Sequence, residues 1–411
     1  MKKVLFVIDS IGCGGAERGL FALLNALDSS KFDIDLLYFS RENEYYKDSI
    51  PSHVTVITPD SGMELIVSSS RFLMKHFKDA KTWPIAFRKL VFGVLGKIKS
   101  KNYFRRRARD WQSFRKFIPQ LSGEYDVAIG YMGIITRYYT IDKVKAKRYI
   151  LWQRTDYRLT GCDLEKDLPY FQKADVVCVL SEEMKKNFLE VFPSTKDKVA
   201  IVPNIFDVDE IRHKGNEKVD FEPKSEGFKI VSVGTLRQVK GYDVAMRACK
   251  RLMDAGYSFK WYVLGFGEDE EKMRAEIKYL GIQDTFILLG NKRNPYAYVS
   301  KSDIFVQCSY REGFSSTVFE AKCLAKPIVI TDAPGMRSQI TNGINGFVVP
   351  VGDDVAVAKA IETLLISSET RKEFENRLQI ELHTCENDVN TAVKRFDGIV
   401  NGYAEGNDNG K

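Results

Sequence analysis

Histidine and cysteine, the residues of zinc sites and disulfides, are sparse in this sequence of 411 residues. It contains four histidines and seven cysteines, and neither type occurs in closely spaced pairs. The histidines therefore lack the spacing of a zinc site. An odd number of scattered cysteines indicates reduced thiols rather than a disulfide framework, so we expect a cytoplasmic protein.

Long hydrophobic runs are missing as well. No apolar stretch approaches the roughly 18 residues of a membrane span. The first residues already read as a strand, so we expect no secretion signal. With 44% hydrophobic and 28% charged residues, the composition is that of a globular protein. The length is sufficient for two or three domains.

Short apolar runs alternate with helix-like segments along most of the chain. Such near-continuous apolar strands are expected where helices cover both faces of a parallel sheet. The predicted strands span residues 4–9, 34–39, 54–58, 126–130, 148–152, 175–180 and 199–203 in the first half, and residues 229–234, 260–265, 286–290, 303–308, 327–331 and 346–349 in the second. This pattern predicts an α/β fold with two doubly wound, Rossmann-like domains that face each other across a cleft.

A polar stretch between Pro203 and Lys229, rich in Pro and Gly, is the predicted boundary between the two domains. We therefore assign residues 1–205 to an amino-terminal domain and residues 206–385 to a carboxyl-terminal domain. Residues 386–411 are predicted to form a final helix, a candidate to cross back to the first domain, and a polar tail.

The positive charge is concentrated in an insertion at about residues 65–118 of the first domain. Between Arg71 and Lys116, 15 Lys and Arg residues stand against two Asp residues, and aromatic residues are interleaved with them. Such a segment suits the headgroup layer of an anionic membrane. A solvated basic helix pair packed on its own domain is the alternative. Nucleic acid is disfavoured because no recognised binding module accompanies the patch.

A strand, a loop and a helix start follow one another between residues 303 and 325. The loop and helix carry the sequence Arg-Glu-Gly-Phe-Ser-Ser-Thr-Val-Phe-Glu at residues 311–320. Unpaired N–H groups at a helix start attract anions such as phosphate. The flanking Glu312 and Glu320 would repel phosphate but accept hydrogen bonds from the hydroxyls of a sugar and a ribose. A nucleotide-sugar site is predicted, with an ordinary capping box of Thr317 and Glu320 as the alternative.

Two further strand ends carry residues that suit a diphosphate. The first strand leads into a turn with glycines at 12, 14, 15 and 19, which is neither a G-x-G-x-x-G turn nor a P-loop. It allows close approach of a ligand, although a tight strand-to-helix turn is the simpler explanation. In the second half, Arg237 and Lys240 follow Gly234 and could neutralise a leaving diphosphate, or form part of a solvated loop.

Taken together, these stretches resemble the family-four retaining glycosyltransferases, which have the GT-B fold. The resemblance rests on the sequence Gly-Gly-Ala-Glu at residues 14–17, the stretch from Gly234 to Gly241, and the seven residues between Glu312 and Glu320. The sequence Lys-Pro-Ile-Val-Ile-Thr-Asp at residues 326–332 and the stretch from Asn342 to Phe347 also match. The resemblance covers nearly the whole chain and is strongest from Lys229 to Val351.

The resemblance implies a role for each matching residue. Glu312 would contact the hydroxyls of the donor hexose and Glu320 those of the ribose, while Lys240 and Arg237 would stabilise the departing diphosphate. Glu312, Lys240 and Arg237 are therefore the candidate catalytic residues. Backbone amides at Gly15 and at residues 314–317 would hold the diphosphate, and the nucleobase would lie near residues 290–293. The implied donor-binding residues are Gly14, Gly15, Gly234, Thr235, Gly265, Lys292, Arg293, Gly313, Phe314, Ser315, Ser316, Thr317 and Glu320. Glu17 and Arg154 would lie near the sugar and the acceptor.

Two positions depart from the family pattern. Thr235 stands where the family usually has Arg, and Arg237 is the candidate replacement. Arg154 stands where related enzymes often have His, and an Arg remains protonated and cannot act as a general base. The leaving phosphate oxygen is therefore the expected proton acceptor, in a front-face substitution that needs neither a metal nor a cofactor.

The predicted activity is transfer of a hexose, with retained configuration, from a nucleotide diphosphate sugar to a saccharide acceptor. A UDP-sugar is the favoured donor, and a lipid-linked saccharide in surface-polysaccharide synthesis is the expected acceptor. The protein would then be peripheral on the inner membrane face. The alternatives are a nucleotide-sugar epimerase of the same architecture and a non-catalytic membrane adaptor. A dinucleotide-dependent oxidoreductase is disfavoured because the first turn lacks the required glycine spacing.

Overall fold

The computed structural model describes residues 1–12, 14–41, 44–67, 86–87, 103–160, 163–219, 227–312, 314–382 and 388–402. Most of the predicted basic insertion, together with Gly313, lies outside these residues. The chain divides into two compact units, with unit 1 comprising Met1–Phe206 and Glu386–Lys411, and unit 2 comprising Asp207–Cys385. None of the described helices is long and apolar enough to cross a membrane.

Unit 1 is built on a parallel sheet of seven strands in the order β3-β2-β1-β4-β5-β6-β7. The strands are β1 (Lys2–Ser10), β2 (Phe32–Ser40), β3 (Val54–Ile57), β4 (Glu124–Met132), β5 (Lys145–Trp152), β6 (Val176–Val179) and β7 (Val199–Ile201). Alternate residues of the strands enter two separate cores, so that Leu5 and Val7 pack on one face and Phe6 and Ile8 on the other. Burial of both faces explains why the strands are apolar throughout.

Helices cover both faces of this sheet. They are α1 (Gly15–Ala26), α2 (Ser61–Val67), α3 (Tyr103–Phe114), α4 (Ile134–Lys143), α5 (Tyr157–Thr160), α6 (Leu164–Lys173) and α7 (Glu182–Val191). The last described helix, Val389–Asn401, also belongs to unit 1. Its Phe396 is 1% exposed and stacks on Phe6 with 5.7 Å between the ring centroids.

Unit 2 repeats the arrangement with a parallel sheet of six strands in the order β10-β9-β8-β11-β12-β13. The strands are β8 (Phe228–Val233), β9 (Phe259–Leu264), β10 (Phe286–Gly290), β11 (Ile304–Gln307), β12 (Ile328–Thr331) and β13 (Phe347–Val349). The helices are α8 (Val208–Gly215), α9 (Tyr242–Asp254), α10 (Glu270–Leu280), α11 (Pro295–Ser300), α12 (Ser316–Cys323), α13 (Pro334–Arg337), α14 (Asp354–Ile366) and α15 (Ser368–Leu382), and the helix of unit 1 that follows them is α16 (Val389–Asn401).

The predicted α/β class with two doubly wound, Rossmann-like domains is confirmed, and each predicted strand has a counterpart in the two sheets. In each sheet the strand order reverses at one point, between β1 and β4 in unit 1 and between β8 and β11 in unit 2. Ligands of such sheets bind beyond the carboxyl ends of the strands at this reversal. The candidate sites are therefore the loops after β1 and β4, and the loops after β8 and β11.

Candidate functional site

The strand reversal in unit 2 brings together two of the predicted catalytic residues. Lys240 ends a short 3-10 helix (Gln238–Lys240) after β8, and Glu312 lies in the loop after β11. The Lys240 ammonium donates a hydrogen bond to Glu312 Oε1. The Lys240 and Glu312 side chains are only 20% and 12% exposed. A cation and a carboxylate thus meet at the point where the fold favours a ligand.

The turn that carries Lys240 packs directly on the end of β11. Gly241 has a left-handed backbone with φ of 66°, and a Cβ at this position would overlap the carbonyl oxygen of Cys308. The Tyr310 N–H donates to the carbonyl of Val239 at 2.8 Å. Only glycine permits this approach, which places the Lys240 side chain within reach of the β11 loop.

The position of Glu312 is also fixed by hydrogen bonds that involve residues the sequence analysis did not identify. Ser309 donates to Glu312 Oε1 at 3.1 Å, and Gln307 Nε2 donates to the Ser309 hydroxyl at 2.9 Å. Thr331, at the end of β12, donates to the Ser309 carbonyl at 2.6 Å. Ser309 and Gln307 are 0% and 1% exposed. The signal that was available is a polar residue, Gln307, ending an otherwise apolar strand.

Helix α12 follows this loop and carries the predicted phosphate-binding amides. Ser315 is its N-cap and the helix begins at Ser316. The first N–H groups of any helix lack an acceptor within it. Thr317 lies inside the helix rather than at the cap, so the alternative of a capping box formed by Thr317 and Glu320 is wrong. Glu320 is 3% exposed and lies on the buried side of α12. The centroids of the Phe314 and Phe319 rings are 6.2 Å apart.

Arg237 lies in the same turn as Lys240 but has a different partner. Its Nε donates to Glu268 Oε1 at 3.1 Å, and both side chains are more than half exposed. Arg237 also lines a cavity of about 450 Å³ together with Asp269 and Lys272. The structure therefore brings Lys240 and Glu312 together and leaves Arg237 paired with the loop after β9.

The other predicted donor-binding residues of unit 2 lie at the ends of β8, β9 and β10. Gly265 has φ of 147° and packs against the carbonyl of Gly234, so that the two glycines bring neighbouring loops into contact. Thr235 follows as an exposed residue. After β10, the Lys292 ammonium lies 5.7 Å from the centroid of the Tyr298 ring. Arg293 is exposed in the same loop.

In unit 1, the predicted residues Glu17 and Arg154 lie close enough for their charges to interact. Gly14 is the N-cap of α1, which starts at Gly15, and the Glu17 carboxylate packs against Gly14. Burial raises the pKa of Glu17, and the positive charge of Arg154 acts in the opposite direction. The Arg154 guanidinium donates to Asn204 Oδ1.

Asp9 is a further titratable residue of this region, and it was not identified as a site residue from the sequence. It lies near the carboxyl end of β1, and burial raises its pKa to about 6 although the charge of Arg107 acts in the opposite direction. A Cβ placed on Gly133, after β4, would lie 2.6 Å from Asp9 Oδ2. The available signal was a carboxylate at the end of an apolar strand. Among the described residues, no group of three or more His, Cys, Asp or Glu could hold a metal ion.

Solved structures identify the class of fold. The chain is similar to the Anabaena protein Alr3699/HepE in complex with UDP and glucose, with a TM-score of 0.68, 15% identity, and coverage of 98% of this chain and 100% of that one. It is also similar to Staphylococcus aureus TarM in complex with UDP, with a TM-score of 0.67, 13% identity, and coverage of 98% and 100%. At these identities the likeness establishes the fold, which is the GT-B fold of glycosyltransferases.

Sequence comparison finds a family match in the second half of the chain. Residues 214–379 match the family "Glycosyl transferases group 1". The chain is 34% identical over 167 residues to an uncharacterized glycosyltransferase of Methanocaldococcus jannaschii, covering 40% of this chain and 41% of that protein. It is 28% identical over 230 residues to an N-acetylgalactosaminyltransferase of Campylobacter jejuni, covering 56% and 58%. The matches thus span about half the length of these relatives.

Proposed function

We propose that this protein is a retaining glycosyltransferase that moves a hexose from a nucleotide diphosphate sugar to the hydroxyl of a saccharide. The observation that carries this proposal is the contact between Lys240 and Glu312 beside the start of α12. A cation and helix-start amides suit a diphosphate, and a carboxylate suits sugar hydroxyls. The family match of residues 214–379 supports the same reaction class.

The bond between the anomeric carbon and the phosphate oxygen breaks in this reaction, and negative charge grows on the diphosphate. Lys240, which is paired with Glu312, would turn to the diphosphate and stabilise that charge. Glu312 would then be free to accept hydrogen bonds from the hexose, while Glu320 serves the ribose. The acceptor oxygen attacks from the side of the leaving group, and its proton passes to the departing phosphate oxygen.

We propose UDP as the nucleotide of the donor, since the Anabaena and Staphylococcus proteins of the same fold were crystallised with UDP. The loop of Lys292 and Arg293 would flank the base, and Gly234, Thr235 and Gly265 would allow close approach of the donor. Arg237 would reach the diphosphate only after leaving Glu268. The reaction needs no metal in this proposal, because Lys240 and the amides of α12 supply the positive charge.

The proposed acceptor is a lipid-linked saccharide at the inner face of a membrane. The Campylobacter relative is named for an acceptor linked to diphospho-undecaprenol, which supports this class. Glu17 and Arg154 would contact the acceptor or the sugar. The described end of the basic insertion includes α3, whose Arg105 and Arg106 would face the anionic headgroups.

Thermal unfolding with UDP, UDP-sugars and other nucleoside diphosphates tests the donor. Binding stabilises the folded protein by about 2.7 kcal/mol at a ligand concentration 100 times the Kd. We expect the unfolding temperature to rise with UDP and its sugars and to rise less with other nucleotides. A protein that responds to none of these compounds would contradict the proposal.

Turnover of the responding UDP-sugar tests the chemistry. Replacing Lys240 with Ala should lower turnover by roughly 10²–10³, because charge stabilisation in the transition state is lost. Lys278→Ala, an equal change of charge at an exposed position of α10, is the control and should be neutral. Unchanged turnover in Lys240→Ala would contradict the role assigned to Lys240, and no turnover in the parent with any acceptor would favour a non-catalytic adaptor. Conversion of the donor sugar without any acceptor would indicate an epimerase.

A further inference from the structure

Helix α12 does not cap its own amino terminus. Ser315 is the N-cap, but within the part of the chain that the structure describes its side chain makes no capping hydrogen bond to the helix. The Ser315 hydroxyl oxygen instead lies 3.2 Å from Thr317 Oγ1. The cap therefore leaves the first N–H groups of the helix available, and other contacts have to set their direction.

A glutamine from the segment after β12 contacts the start of α12. Gln339 is 7% exposed, and its Nε2 donates to the Ser315 carbonyl at 3.2 Å and to the Gly335 carbonyl at 2.8 Å. The Ser315 carbonyl also accepts a hydrogen bond of the helix, from the Phe319 N–H at 3.1 Å. One side-chain amide thus joins the N-cap of α12 to the turn that follows β12.

Further contacts hold the backbone of Gln339 against the same helix. Its carbonyl accepts a hydrogen bond from Lys322 Nζ at 2.8 Å, and Lys322 is the last residue but one of α12. Met336 and Ile340, on either side of Gln339 in the chain, share a buried core with Val318 of the helix. The segment is therefore fixed along α12, and its side-chain amide is held in place at the helix start.

The side chain of Gln339 does not favour stability. Its Oε1 is buried and has no hydrogen-bond partner in the described ranges of the chain. A buried acceptor without a partner costs free energy, whereas an apolar side chain of similar shape can be nearly neutral. A requirement for the Nε2 donor, rather than for stability, explains why an amide occupies this position.

We propose that Gln339 is a positioning residue of the diphosphate site. By holding the Ser315 carbonyl, it fixes the direction of the N–H groups of Ser316 and Thr317, which would donate to the diphosphate. The inference rests on the proposed function, which assigns the diphosphate to the start of α12. Hydrogen bonds weaken steeply when donor and acceptor are misaligned, so a tilt of the helix start would weaken the bonds to the phosphates.

Calorimetric titration of the full-length protein with UDP tests the inference. The variant is Gln339→Met, whose side chain has a similar length and lacks both the donor and the unpaired acceptor. We expect it to bind UDP roughly tenfold more weakly, the effect of losing one hydrogen bond to a charged group, and to lose little stability in urea. At saturating UDP, the phosphorus NMR resonances of the bound nucleotide should also differ from those in the parent, because the amides around the phosphates are displaced.

Gln339→Glu is a second variant, which keeps the shape of the side chain and loses the Nε2 donor. It should weaken UDP binding at least as much. Lys322→Met is the matched control, because it removes a hydrogen bond between α12 and the same residue, but near the opposite end of the helix from Ser315. It should lower stability and leave the UDP affinity and the phosphorus resonances as in the parent.

The inference is wrong if the Gln339 variants bind UDP as the parent does, if the bound nucleotide keeps the resonances of the parent, or if Lys322→Met loses as much affinity. These results would leave the donor site itself standing. A parent protein that binds no UDP would overturn the donor site and this inference together.

Discussion

Single hydrogen bonds decide where the Glu312 carboxylate lies. Oε1 receives one bond from Lys240 and one from Ser309, and Ser309 is fixed in turn by Gln307 and Thr331. Because Lys240 is expected to turn toward the diphosphate during catalysis, Ser309 would be the contact that keeps Glu312 in position. Ser309 is thus a positioning residue in the proposed reaction.

Replacing Ser309 with Ala should lower turnover of the donor by roughly tenfold, the effect of losing one hydrogen bond to a charged group. Ser302→Ala is the control, because Ser302 is equally buried and lies before the amino end of β11, where its hydroxyl donates to the Val299 carbonyl at 2.8 Å. Steady-state kinetics and urea unfolding are measured for both variants. Equal losses of turnover would show that Ser309 acts through stability alone.

The partly buried carboxyl group of Asp9 should make stability depend on pH. Its pKa rises from 3.8 to about 6 on folding, so the folded state binds the proton more tightly than the unfolded state. Folding is therefore penalised as pH rises through this window, and the penalty is complete above it. The difference corresponds to at most about 3 kcal/mol at neutral pH.

Asp9→Asn removes this penalty because the side chain cannot ionise. We expect the variant to gain stability relative to the parent at about pH 8 and to gain little or nothing at about pH 4. The measurement is urea unfolding at both pH values. A stability difference that stays the same at the two pH values would mean that Asp9 does not titrate as inferred.

Among the elements, the turn between β8 and α9 has a strict steric requirement. Gly241 combines a left-handed backbone with direct contact to the Cys308 carbonyl. Gly256, after α9, has φ of 85° but no atom within 4 Å of the position of a Cβ. Substitutions at these two positions therefore distinguish the free-energy cost of the left-handed backbone from that of close packing.

Gly256→Ala should lose about 1–2 kcal/mol, the cost of placing a side chain in the left-handed region. Gly241→Ala should lose at least about 2 kcal/mol more, because β11 must move away from the turn. It should also reduce turnover, since Lys240 moves with the turn. Urea unfolding and kinetics check both expectations, and equal stability losses in the two variants would rule out the packing argument.

For the molecule as a whole, the uneven distribution of positive charge along the chain bears on the proposed binding to a membrane surface. Of the three arginines at 105–107, Arg107 has a structural role, because it donates to the carbonyls of Ile66 and Val67 at 2.8 and 3.2 Å. A charge-reversal test of membrane binding therefore has to leave Arg107 intact. Arg105 and Arg106 are the suitable positions on α3.

The double variant Arg105→Glu/Arg106→Glu should bind phosphatidylglycerol vesicles at least roughly tenfold more weakly, given about 1 kcal/mol for each basic residue near an anionic surface. Lys145→Glu/Lys147→Glu, at the exposed amino end of β5, is the control with the same change of charge. Co-sedimentation with anionic and neutral vesicles is the measurement. If the α3 variant sediments as the parent does, the membrane proposal fails.

The sequence alone was sufficient for the fold class and for the strands of both sheets. Strands buried on both faces must be apolar throughout, and that constraint is visible in any single stretch such as Val4 to Ile8. It also identified Lys240 and Glu312 as candidates, because their motifs are local and their spacing resembles a known family.

Only the tertiary structure decided which side chains meet. Lys240 and Glu312 are 72 residues apart, and they touch because β8 lies beside β11 in the sheet. The same ordering places Asp9 against Gly133, while Arg237 turns to Glu268 on the neighbouring loop. Strand order depends on how whole helices and strands pack together. The spacing of hydrophobic residues along the chain does not specify the order of the strands in a sheet.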